Sequence, residues 1–183
     1  MSLTAVLVID LQNDYFPAGR HPLVGIEAAA ANAARVIDDA RARGVPVIHV
    51  RHEFVGADAP FFAAGSEGAA IHPSVRPREG ETVLLKHFPN PFRETDLKAR
   101  LEAAGIDALV VVGAMSHMCI DATVRAAADF GYPVQVVRDA CATRDLEFDG
   151  VRVPAAQVQA AMMASLGFAY AQVIDTAAYL SAA

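Results

Sequence analysis

Three residues combine chemical capacity with a shared placement. Asp10, Lys86 and Cys119 each stand at or just beyond the end of a short apolar run. A carboxylate can accept a proton, an ammonium can stabilise negative charge, and a thiol can attack an electrophilic carbon. Cys119 follows the run at 108–112 through Gly113-Ala-Met-Ser-His-Met, and the residues after Ser116 have helical periodicity. Ser116 reads as the helix N-cap, which puts Cys119 at the third helical position. There the free backbone N–H groups and the helix dipole favour a thiolate. Taken singly, each residue has a plainer reading. A cysteine is often a small buried apolar side chain, and a charged residue after a buried strand often marks the chain's return to water. Three such residues at three such ends are harder to dismiss.

The elements that would position them alternate along the chain. Apolar runs at 4–9, 45–50, 82–85, 108–112, 133–137 and 171–174 read as buried strands. Helical patterns fall at 27–43, 95–104, after Ser116, and at 154–166, where Pro154 suits a helix start. Strands alternating with helices predict a three-layer α/β/α domain, with one parallel sheet covered on both faces. In such sheets ligands bind beyond the carboxyl ends of the strands, where the three residues stand. The segment 51–80 has no regular pattern and carries Phe61 and Phe62. A loop of this length is usually functional, and we expect it to help cover a pocket.

The composition narrows the classes. The 183 residues fit one domain, spanning 1–183, with room for a full core. The net charge is −6 and no Lys/Arg cluster appears, which argues against nucleic acid as a partner. No apolar run is long enough to span a membrane, and the N-terminus lacks the features of a signal peptide. The two cysteines, Cys119 and Cys141, then suggest free thiols in a reducing, cytoplasmic setting. Cys141 reads as inert packing.

The motifs carry a resemblance. Asp10-Leu-Gln-Asn-Asp-Tyr-Phe16, Lys86-His-Phe-Pro-Asn-Pro-Phe92 with Thr95 and Leu97, and Gly113 followed by Cys119, Thr123, Arg125 and Ala127 resemble the isochorismatase-like cysteine hydrolases. That superfamily includes nicotinamidases, N-carbamoylsarcosine amidases and ureidoacrylate amidohydrolases. The resemblance covers nearly the whole chain and implies a doubly wound, Rossmann-like sheet of strand order 3-2-1-4-5-6. It implies a catalytic triad of Asp10, Lys86 and Cys119, and an oxyanion hole formed by the backbone N–H groups of Met115 and Cys119. It also implies a cis peptide between Ala114 and Met115, and self-association into a homo-oligomer.

The activity so implied is cysteine-dependent hydrolysis of a small amide, ureido or lactam C–N bond through a thioester. Two other readings stand beside it. One is ether or ester hydrolysis of the isochorismatase type on the same scaffold. The other is a non-catalytic redox-sensing or binding module, which would leave Asp10 and Lys86 without a purpose. Nicotinamidases hold a metal through an Asp-x-His element and further histidines, and the corresponding stretch Val50-Arg-His-Glu-Phe54 lacks that element. His49 and His52 are three apart, which puts them on opposite faces of a continuous strand. We therefore expect no metal and no cofactor. Candidate residues of the substrate pocket are Phe16, His52, Phe61, Phe88, Phe92, His117 and Met118, beside Met115. Arg51 is a weaker candidate for a substrate carboxylate, and His72 reads as a loop or packing histidine.

Overall fold

Unbroken apolar runs drive the chain into a sheet with two buried faces. The structure is a computed structural model that describes residues 3–56 and 58–182. Its main sheet has six parallel strands: β1 (Thr4–Ile9), β2 (Val47–His52), β3 (Thr82–Lys86), β4 (Ala108–Ala114), β5 (Val134–Ala142) and β8 (Gln172–Ile174), in the order β3-β2-β1-β4-β5-β8. This is the doubly wound order that the resemblance implies, with β8 as its sixth member. Two further strands, β6 (Leu146–Phe148) and β7 (Val151–Val153), form an antiparallel hairpin between β5 and β8.

The hairpin is absent from the sequence reading although its turn signal is there. Asp149 and Gly150 both have positive φ, 50° and 75°, and Asp-Gly is a favoured pair for a two-residue hairpin turn.

Successive residues of β1 point to opposite faces and enter two cores. Val6 and Val8 pack with Ala33, Val36 and Ile37 of α1 (Ile26–Ala42) and with Tyr179 of α5 (Thr176–Ser181). Ala5, Leu7 and Ile9 pack with Leu97 and Leu101 of α2 (Leu97–Ala103), Val124 of α3 (Asp121–Asp129) and Leu166 of α4 (Ala155–Ala169). At about 25 cal/mol per Å² of apolar surface, these two layers provide the main drive to fold, and they hold the C-terminal strand ends in fixed relation.

Several boundaries differ from the expected ones, each with a physical reason. β2 begins after Pro46 and runs on to His52, because its ladder with β3 continues as far as the pair His52–Lys86. β5 extends to Ala142 through an irregularity: Val111 faces Val136, yet Gly113 faces Cys141. Pro154 sits at the N-cap of α4, one residue before the helix. The short α5 was not expected; Asp175 caps it by accepting the Ala178 N–H at 2.9 Å.

The turn after β4 differs most. Ser116–Ile120 form one π-helical turn before α3, with Met115 at the N-cap. The Ser116 hydroxyl donates instead to the Ala142 carbonyl at 3.2 Å. Ser116 is therefore not the cap, and Cys119 is the fourth residue of the turn.

Candidate active site

The site is assembled where three strands end. Asp10 follows β1 with φ 49°, its N–H bonded to the Val50 carbonyl at 2.9 Å. Lys86 is the last residue of β3, and Cys119 lies in the turn after β4. β3 is not a neighbour of β1, because β2 lies between them. Two strand spacings are about 9–10 Å, so only a long side chain can join these ends. Lys86 spans the gap. Its Nζ is 2.7 Å from Asp10 Oδ2, 3.3 Å from Cys119 Sγ and 2.9 Å from His52 Nδ1. All four residues are buried, with Asp10 at 0% exposure and Cys119 at 6%.

Close backbone approach makes this geometry possible. Gly113 has φ 128°, and a Cβ placed there would lie 2.0 Å from the Ile9 carbonyl oxygen. Only glycine lets β4 come this close to the end of β1. The next peptide but one, Ala114–Met115, is cis. The Met115 carbonyl accepts from the Met118 and Ile120 N–H groups at 3.0 and 3.1 Å, which closes the turn carrying Cys119.

Burial governs the electrostatics. It pushes the Asp10 carboxyl above its ordinary range, against the opposing pull of Lys86 and Cys119. Burial likewise pushes the Cys119 thiol up, and the Asp10 charge adds to the effect beyond what Lys86 offsets. For Lys86, burial works against the charge, but Asp10 and Cys119 outweigh it and the ammonium is held above its usual value. Burial thus favours the thiol form of Cys119 beside the Asp10–Lys86 pair. This opposes the thiolate expected from the helix start: burial and Asp10 raise the Cys119 thiol, and Lys86 works the other way.

His52 is pushed down to about 3, first by burial and then by Lys86 and His87, so its ring is neutral. Oxygen, nitrogen and sulfur atoms of Asp10, His52 and Cys119 lie within 4.8 Å of one another, a spacing that a cation could use. The Lys86 ammonium stands within 3.3 Å of an atom of each, so a positive charge already occupies the centre of the set. These residues do not fit a metal while Lys86 is charged. His49, on the opposite face of β2, bonds Glu81 at 3.1 Å through Nε2 and takes no part.

The loop after β1 contributes residues that the sequence reading missed. Gln12 is fully buried; its Nε2 donates to the carbonyls of His52 and Ala69, each at 2.8 Å, and its Oε1 accepts the His52 N–H at 2.7 Å. Asp14 accepts the Phe62 N–H at 2.6 Å. Tyr15 lies close enough to Asp10 and Cys119 that their charges, after burial, hold its phenol well above the ordinary value. The available signal was the clustering of amide, carboxylate and phenol within five residues of Asp10.

The proposed pocket residues divide. His52 joins the trio directly, and Met115 is buried at the head of the turn. Phe61 packs on Tyr15 at 5.7 Å and stacks on His21 at 4.2 Å, part of an aromatic layer with Phe54 and Phe62 from the 51–80 segment. Phe16 stacks on His72 at 3.5 Å, which gives that histidine its packing role. The His117 ring bonds Thr143 Oγ1 at 2.6 Å through Nδ1, and Met118 is exposed beside it. Phe88 lies under the Arg93 guanidinium at 3.6 Å.

Phe92 is misassigned to the pocket. Its ring meets Phe130 at 5.2 Å, just past the far end of α3, about eleven residues or ~16 Å of helix from Cys119. Arg51 pairs with Glu53, and Cys141 is buried opposite Gly113 with its thiol pushed up to about 12 by burial. No helix among the described residues is long and apolar enough to cross a membrane.

A doubly wound parallel sheet with a thiol, a carboxylate and an ammonium buried beyond its strand ends is a scaffold suited to hydrolysis. Residues 4–178 match the isochorismatase domain, and the chain belongs to the isochorismatase family of hydrolases. It is 53% identical over 177 residues to the isochorismatase family protein YddQ of Bacillus subtilis, covering 97% of this chain and 98% of that one. A maleamate amidohydrolase of Pseudomonas putida is 32% identical over 76% of this chain and 72% of its own length. Among solved structures, an isochorismatase from Pseudomonas putida superposes with a TM-score of 0.90 at 39% identity, covering 96% of this chain and 89% of that one.

Proposed function

We propose that this protein is a cysteine amidohydrolase that cleaves a C–N bond in a small amide, ureido or lactam substrate. The observation that carries the reading is the single buried ammonium, Lys86 Nζ, 2.7 Å from Asp10 Oδ2 and 3.3 Å from Cys119 Sγ. Relatives with amide-cleaving names support it, among them the maleamate amidohydrolase above and an N-carbamoylsarcosine amidase of Arthrobacter, 30% identical over 76% of this chain and 60% of its own length.

The reaction runs in two halves. Cys119 Sγ attacks the carbonyl carbon while its proton passes to Asp10, forming the S–C bond and an oxyanion. The backbone N–H groups of Met115 and Cys119 receive that oxyanion. Its collapse breaks the C–N bond, and Asp10 returns the proton to the leaving nitrogen. Asp10 then takes a proton from water, whose oxygen attacks the thioester; collapse of the second oxyanion breaks the C–S bond, Asp10 returns the proton to the sulfur, and the acid leaves. Lys86 stays charged throughout, beside whichever of Asp10 and Cys119 is the anion. His52, neutral with a buried Nε2 that has no protein partner, offers a donor to a substrate oxygen. The protein acts on its substrate without metal, in the cytoplasm and as a homo-oligomer.

The test is ammonia or amine release from nicotinamide, N-carbamoyl amino acids, ureidoacrylate, maleamate and a lactam, comparing wild type with Cys119→Ala. Turnover of one member that vanishes in Cys119→Ala is expected. Turnover that survives the substitution, or cleavage of an ether or ester without amine release, would overturn the proposal.

A further inference from the structure

The Lys86 ammonium pairs with the Asp10 carboxylate, Nζ to Oδ2 2.7 Å, and donates hydrogen bonds to Cys119 Sγ at 3.3 Å and His52 Nδ1 at 2.9 Å. An ammonium only donates, so His52 Nδ1 must be the unprotonated ring nitrogen and Nε2 must carry the hydrogen. The ring is 4% exposed, and its place does not depend on the side chain alone. Gln12 grips the His52 peptide at both its N–H and its carbonyl. Gln12 lies two residues from Asp10, and its own N–H donates to the Asp10 carbonyl at 2.9 Å. The contacts close into a ring: Asp10 to Gln12, Gln12 to His52, His52 to Lys86, and Lys86 back to Asp10. The titratable groups facing His52 are Lys86 and His87 from β3 and the loop after it, with Asp10 and Cys119 across Lys86.

We infer that His52 is a positioning residue. Its Nδ1 takes one Lys86 N–H and so holds the ammonium against the Asp10 carboxylate and the sulfur. Without this acceptor one Lys86 N–H would be buried and unpaired. The side chain would then turn to satisfy it, drawing the ammonium from Sγ. The inference deepens the amidohydrolase reading by adding a residue that acts through Lys86, yet its readouts need no substrate.

Two measurements test it. The first is the ¹⁵N spectrum of His52 in the intact wild-type protein, assigned by comparison with His52→Asn. The expected pattern is the Nε2–H tautomer, neutral from pH 8 down to pH 5. An Nδ1–H tautomer, or an imidazolium signal at pH 6, would overturn the inference.

The second is iodoacetamide modification of Cys119, followed by mass analysis of the peptide that contains it, from pH 6 to 10. His52→Phe keeps the ring and loses the acceptor. It should slow modification about tenfold at pH 7.5 and move the pH midpoint upward. His52→Asn, whose Oδ1 can replace Nδ1 as acceptor, should restore the rate to within about threefold. A His52→Phe protein with the wild-type rate and profile would refute the positioning role, as would a His52→Asn protein as slow as His52→Phe. Silence on every amide substrate, with these results as expected, would sink the amidohydrolase reading and leave the role of His52 standing.

Discussion

Asp10→Asn isolates the electrostatic core of the site. The substitution is nearly isosteric, so packing is kept, but Lys86 loses the only carboxylate placed against it among the described residues. Lys86 is 1% exposed. Removing one partner of a buried ion pair typically costs about 3–5 kcal/mol, because the remaining charge is left without compensation. In a chain of this size each kcal/mol moves the midpoint by about 2–4 °C, so a fall of roughly 10 °C is expected. The sign of the pH dependence follows. In the wild type, Asp10 and Cys119 hold the folded Lys86 pKa above its ordinary value, so folded and unfolded states carry the same ammonium near neutrality and this group adds no slope.

In Asp10→Asn, burial dominates and the folded pKa drops below the unfolded value of about 10.4. The unfolded state then binds the extra proton, and stability rises with pH by up to about 1.4 kcal/mol per unit until the unfolded lysine also titrates. Urea unfolding of both proteins between pH 7 and 10 reads this directly. A variant as stable as wild type at pH 7, with the same slope, would refute the claim that Asp10 holds a charged Lys86. The amide hydrolysis proposed above should fall to background in the same protein.

Gln12→Leu leaves three buried backbone groups of His52 and Ala69 unpaired. At about 1–3 kcal/mol each, with some relaxation, a loss near 4 kcal/mol is expected in urea unfolding; a loss below 1 kcal/mol would contradict the clamp. Gly113→Ala puts a Cβ 2.0 Å from the Ile9 carbonyl at a positive φ, so thermal unfolding should show more than about 3 kcal/mol of destabilisation, and a neutral outcome would mean that the strands do not approach so closely. The acid limb of the pH–rate profile should lie above the ordinary carboxylate value of about 3.9, because burial raises Asp10 and its proton-bound form cannot accept from the thiol. Activity that persists undiminished to pH 4 would argue against Asp10 as the acceptor.

The strands were legible because a buried parallel strand is a run of apolar residues, and 4–9, 82–85 and 108–112 are such runs bounded by polar residues or glycine. Helix 27–43 was legible from its alanine stripe, and it is displaced by one residue from Ile26–Ala42. Juxtaposition was not legible in the residues themselves. Nothing local to Lys86 says that β2 and not β1 is its neighbour, so the contact with His52 follows only from the sheet order. The cap at Ser116 was misread because the hydroxyl finds the Ala142 carbonyl, 26 residues away, and a distant acceptor leaves no trace in a local pattern. Phe92 failed for the same reason: its partner, Phe130, is 38 positions on.

The combination of a raised carboxyl and a raised thiol has a consequence for the proposed chemistry. A lone buried thiol so shifted would be a poor nucleophile, since its anion would be rare. What matters here is the difference between the two acids, because the proton moves from Cys119 to Asp10 and not to water. Burial penalises both anions, so much of its effect cancels in that difference. The number of charges is also unchanged by the transfer: carboxylate with ammonium becomes thiolate with ammonium. Lys86 is 2.7 Å from the first anion and 3.3 Å from the second, and it need not move to serve either. A buried site therefore raises the cost of every charge that leaves the trio while leaving transfer within it accessible. That is the physical reason for holding the Lys86 ammonium in place, and it is why fixing this ammonium matters more to the proposed reaction than lowering the thiol pKa on its own.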